Sequence, residues 1–94
     1  MSIFIKELVK NKLKQLSSEE LLNYGKQYGF SLSKTEAEQI ITYLKQHTVD
    51  PFDPYDQEKM FHALAAITDS QTANKAQKLF KEIIQSYGLG HLFN

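Results

Sequence analysis

The chain has 94 residues, 41% hydrophobic and 12% aromatic, which is enough apolar material for one globular domain and too much for a disordered segment. Its 11 basic and 11 acidic residues cancel, and the absence of cysteine excludes disulfides, thiolate nucleophiles and cysteine-held metals. Every basic residue is lysine, so the planar guanidinium fork that grips phosphate, carboxylate or guanine is missing altogether.

Helical periodicity runs the length of the chain, and five helices are predicted in order. The first covers residues 3–15. Ile5, Leu8, Val9, Leu13 and Leu16 share one side, Lys6, Lys10 and Lys14 form a stripe opposite, and Lys12 falls within the apolar arc, where it must snorkel or sit at an edge. The second starts at Ser17 with Glu20 three residues on, the spacing of a capping box. It offers Leu21, Leu22, Tyr24 and Tyr28 for burial and stops at Gly29. Gly25 lies inside that apolar face, and close approach of another helix backbone is the expected reason.

A second capping box, Ser33 to Glu36, opens the third helix, whose stripe is Ala37, Ile40, Ile41 and Leu44. Residues 48–56 break the period with Asp50-Pro51-Phe52 followed at once by Asp53-Pro54-Tyr55. Aspartate before proline is a helix-start signal, so the fourth helix is placed at Pro54, burying Met60, Phe61, Ala63, Leu64 and Ile67. The fifth begins at Asp69 or Ser70 and runs to about Tyr87, with Ala73, Ala76, Leu79, Phe80, Ile83 and Ile84 as its stripe and Gly88 and Leu89 as its stop. No strand-like alternation, long linker or tandem repeat interrupts this pattern. The fold class expected is all-α, a compact bundle of about five short-to-medium helices forming a single domain over residues 1–94.

The polar residues offer little chemistry. Asp50, Asp53, Asp56 and Glu58 look like a calcium loop, but counting from Asp50 puts Phe52, Pro54 and Tyr55 at positions that need two oxygen ligands and a glycine. His47, His62 and His91 are too far apart in sequence to make a local ligand pair. The serines sit where helix caps are needed, and none of the four glycines opens a helix after a strand as a phosphate loop would. No catalytic residue, metal ligand or cofactor site is therefore assigned, and no enzymatic activity is expected. The N-terminal segment lacks an apolar run of signal-peptide length, and nowhere do about 18 apolar residues run together, so a cytoplasmic protein without a membrane partner is expected.

Two binding readings follow. In the first, Phe52 and Tyr55 in the loop, with Leu92 and Phe93 in the tail, form apolar surface for a protein partner or a second copy, the alternative being that these residues complete the core of a small domain. In the second, the helices flanking Gly29 form a helix-turn-helix for nucleic acid. Glu36 and Glu38 near the start of its recognition helix would repel phosphate, and Thr35 and Glu38 stand where that motif packs apolar side chains, so the first reading is preferred.

Across residues 20–82 the chain resembles a family of short uncharacterised proteins of low-GC Gram-positive bacteria, catalogued as domain of unknown function 2624. The residues that carry the likeness are Glu20-Leu21-Leu22, Lys26-Gln27-Tyr28-Gly29, Leu32-Ser33-Lys34, Ala37-Glu38, Ile67-Thr68, Thr72-Ala73 and Leu79-Phe80. These are caps and core positions, so the resemblance implies a bacterial cytoplasmic protein and transfers no functional residues. The function expected is that of a non-enzymatic protein–protein interaction module.

Overall fold

The helix starts fall where the capping side chains put them. A computed structural model describes residues 2–86, with the backbone alone for residues 2–6, 83, 84 and 86. It contains five helices: α1 (Ser2–Gln15), α2 (Ser18–Gln27), α3 (Lys34–Gln46), α4 (Pro54–Ile67) and α5 (Ser70–Ser86), with no strand among the described residues. Ser17 Oγ accepts the Glu20 amide at 3.1 Å, and Glu20 Oε1 accepts the Ser17 amide at 3.1 Å. The reciprocal pair between Ser33 and Glu36 closes at 2.9 and 3.0 Å. Both capping boxes thus satisfy amides that a helix leaves without internal partners. Asp53 accepts the Asp56 amide at 3.2 Å ahead of Pro54, and Asp69 accepts the Thr72 amide at 2.6 Å.

Gly29 ends α2 with φ +83°, the only positive φ among the described residues. The Phe30 amide reaches back to Gly25 O at 2.7 Å and the Gly29 amide to Lys26 O at 3.2 Å, which together make a Schellman stop. That stop folds the following loop over α2. Gly25 is therefore met by loop side chains and not by another helix backbone: a Cβ built there would lie 3.6 Å from both Leu32 and Phe30.

Packing follows chain order. α2 lies against α3 and α4 against α5, two helical hairpins that meet through α3 and α4, while α1 rests on α3. The fully buried cluster of Leu16, Ile41, Leu44 and Val49 sits where the end of α1, α3 and the 47–53 connection converge. The all-α bundle is as expected from the periodicity. The expected stop at Gly88 and Leu89 lies outside the described residues.

The connection between α3 and α4 departs from expectation. Phe52 is 2% exposed and Pro51 is fully buried, so the loop turns its apolar groups inward instead of presenting them. The physical reason is that its own side chains satisfy its backbone. Asp50 Oδ1 accepts the Phe52 amide at 2.9 Å, Asp56 Oδ2 accepts the Asp50 amide at 3.0 Å, and Gln57 Nε2 donates to Pro51 O at 2.6 Å. A loop whose polar backbone is paired locally can be buried without leaving orphaned groups.

Candidate functional site

Each helix of the two hairpins is amphipathic, yet the hairpins do not close on each other along their whole length. Between them runs a cleft of about 310 Å³, lined almost wholly by carbon. Leu13 of α1 and Leu16 just after it contribute to the lining. Leu21, Tyr24 and Tyr28 of α2, with Phe30 and Leu32 from the loop, form one wall. Met60, Leu64 and Ile67 of α4, with Ala76, Leu79 and Phe80 of α5, form the other, and Ile40, Tyr43 and Leu44 of α3 line it as well. The volume is about twice the ~150 Å³ of an engineered apolar cavity that admits benzene, and it falls at the small end of ligand sites.

The opening explains two departures from the sequence reading. Tyr24 and Tyr28, expected to be buried, are 46% and 47% exposed, one helical turn apart on α2. None of the apolar residues of α4 is fully buried; Met60, Phe61, Leu64 and Ile67 are all half-buried. Helical period told which faces point inward, but the gap depends on how far apart the facing helices stand.

A cation bridges two elements beside the cleft. Lys75 Nζ donates to the Gly29 carbonyl, 46 positions away in sequence, and lies 4.8 Å from the centre of the Phe30 ring. The apolar stripe of the fifth helix does not include Lys75.

Of the residues singled out as partner contacts, Phe52 is buried and is corrected to a core position. Tyr55 is 64% exposed with Lys59 Nζ 4.5 Å from its ring centre, and it does not line the cleft. Leu92 and Phe93 lie outside the described residues. Of the two that the structure describes, one is buried and the other exposed.

The titratable groups are engaged in local structure. Glu20 has its pKa held below the usual carboxylate value by the Ser17 amide, and then by Lys12, whose ammonium stands 3.3 Å away. Lys12, placed by the pattern within the apolar arc, escapes to the surface through that pair. The Thr72 amide likewise lowers the pKa of Asp69. Asp50, Asp53 and Asp56 accept amides of the α3–α4 connection and the first turn of α4, and no group of three metal-ligating side chains converges among the described residues. His47 caps α3 and packs its ring 4.4 Å from that of Tyr43, and His62 is exposed. No helix among the described residues is long and apolar enough to cross a membrane.

Residues 1–84 match the family described as protein of unknown function (DUF2624). The chain belongs to this family. A relative, the uncharacterized protein YqfT of Bacillus subtilis (strain 168), is 29% identical over 80 residues, spanning 85% of this chain and 95% of its own. No solved structure matches. The DUF2624 match takes in every residue described as lining the cleft, from Leu13 to Phe80.

Proposed function

We propose that this DUF2624 protein is a non-enzymatic interaction module of the bacterial cytoplasm, and that its cleft receives the apolar face of an amphipathic helix from a protein partner. The observation that carries the reading is the cleft itself: about 310 Å³ bounded by half-buried side chains of all five helices. A helix occupant is favoured by the rim. Tyr24 near the end of α2 and Tyr28 at its C-cap stand at i and i+4, a repeat that matches a row of anchors on a helix. Tyrosine suits such a rim because it gives large contact area at small entropic cost and keeps a wet hydroxyl. The non-enzymatic part is supported by the employment of the polar side chains, since Ser17, Ser33, Asp53 and Asp69 are committed to helix starts.

A photo-crosslinking residue at position 24, introduced in the organism that encodes the protein, tests the reading. We expect a discrete adduct from position 24, none from position 39 on the exposed face of α3, and loss of the adduct when Ala76→Phe fills the cleft. Equal adducts from both positions, or adducts indifferent to Ala76→Phe, would overturn it.

A further inference from the structure

The cleft is lined by apolar side chains, and Lys75, outside that lining, stands beside it among residues that do line it. Lys75 stands on α5 between Thr72 and Ala76, both of which line the cleft, and its ammonium reaches over to the Gly29 carbonyl and the ring of Phe30, which lines the opposite wall. An ammonium has three protons to donate. Among the described residues one is taken, by Gly29 O, while the Phe30 ring offers its face to the charge. No carboxylate is paired with it: the ion pairs among the described residues are Lys10 with Glu7 and Lys12 with Glu20. Lys75 is also exposed, so an incoming group can reach it. Gly29 keeps this geometry available, since a Cβ there would sit 3.3 Å from the ammonium.

Resting on the docking reading above, we propose that Lys75 selects the occupant: the partner helix carries an Asp or Glu at the end of its apolar row, and that carboxylate takes the donors that Gly29 leaves. The occupant is thus amphiphilic with its anionic group at the Phe30 end of the cleft. A cation at the same place would meet Lys75 as a like charge, and a neutral end would leave the ammonium bridged only to Gly29. Selection of this kind acts more on which partner binds than on how tightly.

Two fluorescent probes of one skeleton separate the charge from the apolar body. They are 8-anilino-1-naphthalenesulfonate and its uncharged parent, N-phenyl-1-naphthylamine, titrated into the full chain at near-physiological salt. We expect the wild type to bind both with one-to-one stoichiometry and the sulfonate about five-fold more tightly, the scale of one exposed charge-assisted contact. Lys75→Met should erase the preference while leaving the neutral probe bound, Lys75→Arg should keep it, and Ala76→Phe should abolish both. Equal affinities in the wild type, a preference that survives Lys75→Met, or a Lys75→Met variant that weakens both probes alike would overturn the selection while the cleft's role stands. Binding of neither probe would overturn both. If Lys75→Met does not fold, as judged by circular dichroism, a salt titration of the wild type decides. A charge-selected sulfonate loses its advantage as salt rises, and an unchanged advantage refutes the proposal.

Discussion

Replacing Phe52 distinguishes a core residue from a surface anchor. The side chain is 2% exposed, in a loop whose own carboxylates and amides are paired, so it has little freedom to relax after truncation. Phe52→Ala then removes a buried aromatic and leaves a void, a change that costs about 3–5 kcal/mol in cores. A chain of this size has roughly 5–14 kcal/mol in total, so the variant forfeits a large share of its stability. At about 4–8 °C per kcal/mol, the melting midpoint should fall by at least about 12 °C. Tyr55→Ala is the paired control three residues on. At 64% exposure and with Lys59 beside its ring, it should change stability by no more than about 1 kcal/mol. Urea unfolding followed by far-ultraviolet circular dichroism measures both. A Phe52→Ala cost below about 1 kcal/mol, or one equal to that of Tyr55→Ala, would refute the inward placement of the loop and the hydrogen-bond argument for it.

Two glycines of α2 should respond in opposite directions. Gly25→Ala should stabilise by up to about 1 kcal/mol, because a Cβ there meets Leu32 and Phe30 at an ordinary 3.6 Å. Gly29→Ala should destabilise by about 1–2 kcal/mol, because its φ of +83° is left-handed. Chemical denaturation of the two variants would expose an error if the signs agreed. Acid stability provides a further check. Glu20 and Asp69 titrate below their ordinary values in the folded chain, so their contribution is complete above about pH 5 and is lost as pH falls through the carboxylate range. A Glu20→Gln, Asp69→Asn double variant keeps acceptors at both caps but has no charge to lose. Its stability should fall less steeply with acid than that of the wild type, and identical slopes would contradict the assignment.

What could be read from the sequence was whatever depends on neighbours a few positions apart. Ser17 with Glu20, Ser33 with Glu36 and Asp53 with Pro54 each announce a helix start, because the partners that cap it are three residues away or fewer. The burial of Phe52 was hidden because it rests on a set of partners, Asp50, Asp56 and Gln57, that act together and that no single spacing rule names. The exposure of Tyr24 and Tyr28 was hidden for a different reason. Periodicity assigns them to the inner face of α2, and only the separation of the two hairpins turns that face into a rim. The role of Lys75 was hidden because its acceptor lies 46 positions away.

The nearest-neighbour packing also sets the order in which the molecule can assemble. α2 on α3, α3 on α4 and α4 on α5 each require closing only a short stretch of chain, and topologies of that type reach the native state in microseconds to milliseconds. The Lys75–Gly29 bridge encloses several helices and must wait for all of them. The bridged edge beside the cleft is therefore the last part of the molecule to be completed and the first to be lost when the hairpins separate.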